Sequence, residues 1–229
     1  MTEFFRFPRT PHLAWLGDGS PRDDKVLPPS EVTALLAGEV VVEEKLDGAN
    51  VGLSLTSDGH LRAQNRGQYL AEPHAGQFAR LPTWLAQHSE GLRAVLTPSL
   101  ILFGEWCAAR HSLDYAALPD WFLLFDVYDR SAGRFWNSAR RDALAATLQL
   151  SIVPRLLKGH CNLQQLKEML SQQSSKFRQG AIEGVVIRRD SAEWCEARAK
   201  LVRPDFIQII SEHWSRRRIE WNQLDWAAT

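Results

Sequence analysis

Three consecutive valines, Val40, Val41 and Val42, run into Glu43, Glu44 and Lys45, and after Asp47-Gly48 a second run over 50–56 alternates apolar with polar or small residues. Both segments carry the period of strands. Ser57-Asp58-Gly59 turns the chain into a third strand over 61–65. Short apolar runs bounded by turn-forming or charged residues predict further strands over 100–105, 121–128, 152–156, 184–189 and 199–203. Between them apolar residues fall three and four apart over 77–86, 138–148 and 163–172, which predicts helices, the second with Ser138 as its N-cap. Strands joined directly, with helices inserted irregularly, predict an α+β domain of mainly antiparallel sheets flanked by helices.

Over 204–226, Phe206, Ile209, Ile210, Trp214, Ile219, Trp221 and Leu224 recur among charged residues as the stripe of one helix would. Residues 204–229 are therefore expected to be a closing helical tail on a single domain covering 1–229. The polar stretch 17–29 reads as a loop inside that unit.

Composition narrows the class. A chain of 229 residues that is 45% hydrophobic can bury one core. Lys plus Arg equals Asp plus Glu at 27 each, so no global positive field exists and nucleic-acid contact must come from a local patch. Arg216, Arg217 and Arg218, between Trp214 and Trp221, form the most basic point; they suit phosphate contact with base stacking, and equally a solvated helix face. Cys107, Cys161 and Cys195 are odd in number and lack metal-binding spacing, which points to reduced thiols. No leader-like or membrane-length apolar run is present, so a cytoplasmic protein without membrane contact is expected.

Candidate chemistry centres on Lys45-Leu46-Asp47-Gly48-Ala49-Asn50, a KxDGxN pattern in which a strand ends at a lysine and a glycine permits a sharp turn beside a phosphate. A charged lysine is no nucleophile, so attack on phosphorus requires its pKa to fall from about 10.4 toward neutrality.

Downstream, Asn65-Arg66-Gly67, Phe103-Gly104-Glu105-Trp106, Leu124-Phe125-Asp126-Val127, Glu183-Gly184-Val185-Val186-Ile187 and Lys200-Leu201-Val202 follow in order. With the lysine motif, this series resembles the covalent nucleotidyltransferase superfamily of ATP-dependent polynucleotide ligases and mRNA-capping enzymes, and within it the RNA ligases. Residues 8–13, Asp23-Asp24-Lys25 and 108–112 look like a compact group of such ligases. The resemblance implies an ATP-grasp-like nucleotidyltransferase domain in which Lys45 forms a lysyl-AMP. It implies that Phe125 stacks on adenine, that Glu105 accepts from a ribose hydroxyl, and that Arg66 reaches the ribose or phosphates. Lys200 would neutralise the α-phosphate, while Glu44 and Asn50 would border the same ATP site. Glu183 would hold Mg²⁺ or Mn²⁺, and Asp47 would either orient Lys45 or help place the metal.

The implied reaction transfers AMP from Lys45 to a 5′-phosphate RNA end and joins it to a 3′-hydroxyl. Two departures qualify the resemblance. Val202 stands where the family has a second lysine, with Arg203 next along. The chain also leaves no room for an OB-fold after this motif, so sealing would need Arg216, Arg217 and Arg218 as RNA platform, or a partner protein. Alternatives are a DNA or DNA/RNA hybrid nick ligase, and a nucleotide- or RNA-end-binding module without turnover.

Overall fold

The computed structural model describes residues 3–19, 21, 25–209 and 218–225. Two antiparallel sheets dominate it. The first has strand order β7-β1-β8-β9, built from β1 (Val40–Lys45), β7 (Arg155–Gly159), β8 (Gly184–Asp190) and β9 (Cys195–Val202). The second has order β3-β2-β4-β5-β6, built from β2 (Ala49–Leu55), β3 (Leu61–Gln64), β4 (Leu100–Trp106), β5 (Phe122–Asp129) and β6 (Arg134–Phe135). Helices α1 (Pro29–Leu36) and α4 (Leu163–Gln172) cover the first sheet, while α2 (Leu81–Val95) and α3 (Ser138–Leu148) cover the second.

Strand alternation explains the burial. Val40 and Val42 of β1, Val185 and Ile187 of β8, and Ala199 and Leu201 of β9 all turn outward onto Leu35, Leu166 and Leu170 of α1 and α4. The opposite face of the same strands is polar: the ladder sets Glu43 against Val186 and Val186 against Lys200, with Arg188 against Arg198 one step along. In the second sheet Leu100, Leu102 and Trp106 pack under Trp84, Leu92 and Ala145, while Ile101 and Phe103 face inward onto Phe7. The polar face of the first sheet thus meets a largely aromatic face of the second, and a cleft opens between them.

The α+β architecture follows the sequence reading, and several boundaries shift. Helix α1 has no counterpart among the expected helices; Pro29 sits in its first turn, where a missing N–H costs nothing. The helix expected over 77–86 is a 3-10 turn at Gly76–Phe78 followed by α2, whose stripe runs on through Leu92 because three-and-four spacing survives the polar residues around Gly91. The N-cap of α3 is Asn137, not Ser138: its side chain accepts from the Arg140 N–H. Asn162 and Gln165 close a full capping box on α4.

The strand expected over 152–156 divides. Ile152 bridges Leu124 of the second sheet, Pro154 interrupts the ladder, and β7 joins the first sheet from Arg155. Among the described residues of the expected closing helix, α5 (Pro204–Ile209) is helical. Residues 218–225 run extended instead and bridge Ala109 through Trp221 and Leu118 through Leu224. Ile210, Trp214, Arg216, Arg217 and Trp226 lie outside the described residues, as do Asp23 and Asp24. Among the described residues no helix is long and apolar enough to cross a membrane.

Candidate active site

The cleft between the sheets has a volume of about 470 Å³, within the range of small-molecule sites. Lys45, Glu44, Asn50, Arg66, Glu105, Phe125 and Lys200 all border it. Glu183 and Asp47 are not part of the lining; Glu183 is buried and reaches the site through Lys45, whose Nζ stands 2.6 Å from Glu183 Oε1. That closeness follows from register, because Lys45 pairs with Gly184 across β1 and β8. Gly184 is required there, since a Cβ would lie 2.5 Å from the Leu201 carbonyl oxygen.

Three carboxylates surround the amine. Burial pulls the Lys45 pKa down, but Glu183, Glu105 and Asp47 outweigh it and hold the ammonium above its ordinary value. The expected lowering of Lys45 is therefore not seen, because the three carboxylates outweigh its burial. Burial in turn raises Glu183 to about 8, against the pull of Lys45, and Glu105 to about 7.

Gly48 serves close approach: a Cβ there would sit 2.6 Å from the Trp106 carbonyl oxygen, and its N–H donates to Glu105 Oε1 at 3.1 Å. Asn50 pairs with Glu105 across β2 and β4. Its Oδ1 and Glu183 Oε2 are buried without a protein partner, the condition in which a polar atom awaits a ligand. Asp47 Oδ2 instead accepts the backbone N–H groups of Ser112 at 2.7 Å and Leu113 at 2.8 Å, and its own N–H donates to the Tyr115 hydroxyl at 2.8 Å. Glu44 Oε2 accepts the Lys176 N–H at 3.1 Å, and burial raises its pKa.

A bulge aims Phe125. Phe103 pairs with Asp126 and Gly104 with Leu124, so Phe125 has no opposite number, and both Phe125 and Asp126 reach the cleft despite being adjacent. The Phe125 carbonyl accepts from Arg141 at 2.8 Å and from Arg188 at 3.1 Å. Those guanidiniums are themselves buried and paired: Arg141 with Glu43 at 2.6 Å, and Arg188 with Asp126 at 2.6 Å. Arg198 bonds the second Asp126 oxygen.

Several cleft residues carry no motif: Phe7, Arg9, Thr10, Glu43, Arg188 and Arg198. Strand period gives away some of them, for Arg188 and Arg198 share the face of Val186 and Lys200. Phe7 had no such signal, while Arg9 and Thr10 belong to the segment 8–13 that the resemblance picked out without a role; the N-terminal segment reaches the site because Pro11 and His12 dock along Lys200 of β9. Val202 is buried, and the Arg203 guanidinium is held by Asp205 and the Ile182 carbonyl. Arg218, exposed on the extended tail, is separated from the cleft lining.

Facing antiparallel sheets, with a lysine at a strand end and an aromatic ring and cations lining the space between, place the chain in the nucleotidyltransferase superfamily. A model of the RNA ligase family matches residues 38–202, and the chain belongs to that family. No curated protein matches it. Solved structures of Naegleria gruberi RNA ligase share the fold. The form with pyrophosphate has a TM-score of 0.63 at 21% identity, over 78% of this chain and 53% of that one. A mutant with ATP and manganese has a TM-score of 0.60 at 19% identity, over 80% and 54%. The chain spans about half the length of these relatives.

Proposed function

We propose that the protein is an ATP-dependent RNA ligase in which Lys45 carries AMP as a phosphoramidate. The observation that supports this most directly is that Lys45, which lines a nucleotide-sized cleft, contacts buried Glu183 at 2.6 Å, with Glu183 Oε2 left unpartnered. The Naegleria relatives were solved with ATP and manganese or with pyrophosphate, which accords with the same substrate here.

In the first step the Lys45 amine attacks the α-phosphorus of ATP. An N–P bond forms, the bond from that phosphorus to the bridging oxygen breaks, and pyrophosphate leaves with the electron pair. Lys45 must first shed a proton, and Glu183, in hydrogen-bond contact and raised by burial to about 8, is the nearest acceptor. Phe125 presents its ring to adenine from the bulge, Glu105 accepts from a ribose hydroxyl, and Lys200 with Arg66 offsets phosphate charge.

The unpartnered Glu183 Oε2 and Asn50 Oδ1 fit a hydrated hard cation or ligand hydroxyls. Glu183 would hold Mg²⁺ or Mn²⁺ through Oε2, with water and phosphate oxygens completing its shell. Such a cation supplies positive charge that disfavours the ammonium form of Lys45. Asp47 acts through the backbone it holds and the field it adds. AMP then passes to a 5′-phosphate RNA end, releasing the Lys45 amine, and a 3′-hydroxyl displaces AMP to form the phosphodiester.

The test is incubation of wild type and Lys45→Ala with α-labelled ATP or GTP and a divalent cation, followed by denaturing electrophoresis. Acid-labile label from ATP, absent in Lys45→Ala, is expected. Label retained by Lys45→Ala, or drawn from GTP instead, overturns the reading.

A further inference from the structure

Among the described residues the large hydrophobic side chains left exposed are Ile219 and Trp221, each at 36%. They stand two apart on the extended segment 218–225, so the period of extended chain puts both on one side. That segment is pinned, not loose. Asn222 is buried, donating from Nδ2 to the Cys107 carbonyl at 2.7 Å and accepting the Tyr115 N–H on Oδ1 at 2.9 Å. Its backbone N–H donates to Ala108, the Arg110 N–H to Glu220 and the Leu118 N–H to Gln223. An anchor of this strength holding a half-exposed indole outward needs an explanation beyond packing.

One cation lies over the indole. The Arg80 guanidinium lies over Trp221 at 4.3 Å and over Trp121 at 4.9 Å from the ring centroids. Glu220, the acidic residue between Ile219 and Trp221, is held by Arg110 at 2.9 Å, and exposed Arg218 begins the segment. The strip also starts at the cleft. Ala109 bridges Trp221, and two residues on, His111 contacts Gln77 Oε1 at 2.9 Å. Gln77 and Phe78 line the cleft, and Arg80 follows them.

We infer that Ile219, Trp221, Arg80 and Arg218 form a dock for an unpaired RNA strand as it enters the cleft. A base stacks on Trp221 against Ile219, while the two arginines meet phosphates. The inference rests on the ligase reading and names its substrate surface. Two apolar side chains two residues apart are too small a patch for a protein helix, but they match the size of one base, and an indole beside a guanidinium is the pairing that stacks bases and attracts a polyanion.

The experiment titrates a fluorescein-labelled, 5′-phosphorylated single-stranded RNA against wild type, Trp221→Ala, Trp221→Phe and Arg218→Ala, reading anisotropy across a salt series. Covalent AMP labelling is read in the same samples. Trp221→Ala is expected to weaken RNA binding about fivefold to a hundredfold, with Trp221→Phe close to wild type because a ring still stacks. Arg218→Ala is expected to lower the salt slope by about one. Equal affinity of Trp221→Ala and wild type overturns the inference, and is the result a protein-docking surface would give. Equal weakening by Phe and Ala, with a lowered melting temperature in both, overturns it in favour of a purely structural indole. If wild type takes no AMP label, the ligase reading fails by itself, while the RNA titration still decides the dock.

Discussion

Glu183 meets Lys45 with one carboxylate oxygen and leaves the other without a partner in the protein. One oxygen restrains the amine and the second is unpartnered, so in the proposed reaction a single side chain would hold Lys45 in its charged form until a cation's positive charge favoured release of the proton.

Replacing Glu183 by Gln keeps the shape and removes the charge. Loss of a positioned proton acceptor costs on the order of 10²- to 10⁴-fold, so rapid-quench measurement of AMP labelling should show Glu183→Gln slowed at least about a hundredfold with its melting temperature kept or raised. An unchanged rate would assign proton removal elsewhere.

The pH dependence has a definite sign. Glu105 and Glu183 have folded pKa values raised to about 7 and about 8 from 4.5. The folded state therefore holds more protons than the unfolded one between those values, and stability is fully present below about pH 4.5 and lost as pH rises through 7 to 8. Melting in chelator should show stability falling by a few kcal/mol from pH 5 to 8, a slope that Glu105→Gln reduces. AMP labelling should move the opposite way, rising with pH as the raised Lys45 deprotonates. A flat stability profile would show that these carboxyls are solvated.

Gly104 lets β4 and β5 approach at the bulge, where a Cβ would fall 2.4 Å from the Phe122 ring and 2.8 Å from the Leu123 carbonyl oxygen. Gly104→Ala should destabilise by about 1–3 kcal/mol. By displacing Phe125, it should also raise the ATP concentration needed for half-maximal labelling. Thermal melts and an ATP titration of the same protein check both, and retention of wild-type ATP dependence would separate Phe125 from the bulge.

Arg141 and Glu43 are both buried, at 0% and 2% side-chain exposure. Arg141→Met strands Glu43 and should cost about 3–5 kcal/mol in urea unfolding, while adding Glu43→Leu should recover much of it. A double variant no better than the single would show that the Phe125 carbonyl and Asp142, the other acceptors of Arg141, carry the cost.

The sequence made the motif residues legible because each sits at a strand end or turn with its own spacing: Lys45 before Asp47-Gly48, Glu105 after Gly104, Glu183 before Gly184. It concealed what depends on partners distant along the chain. Its motif marks Phe125 but not the bulge that turns it toward the cleft, and Glu43 reads as a solvated neighbour of Lys45 until Arg141 arrives from α3. The tail misled for a related reason. Apolar residues spaced as on a helix are also spaced to alternate, and Asn222, which forces the extended choice by bonding Cys107 and Tyr115, has no apolar signature.

Strand β1 sits inside its sheet, between β7 and β8. It leaves the ribosome early, yet its neighbours begin only at Arg155 and Gly184. Pairing across such separations is slow and late in folding. Until β8 has been made, Lys45 has no Glu183 beside it and the cleft lacks the residues β8 brings, so a chain interrupted anywhere in its first three quarters carries the lysine without the contact that defines its place.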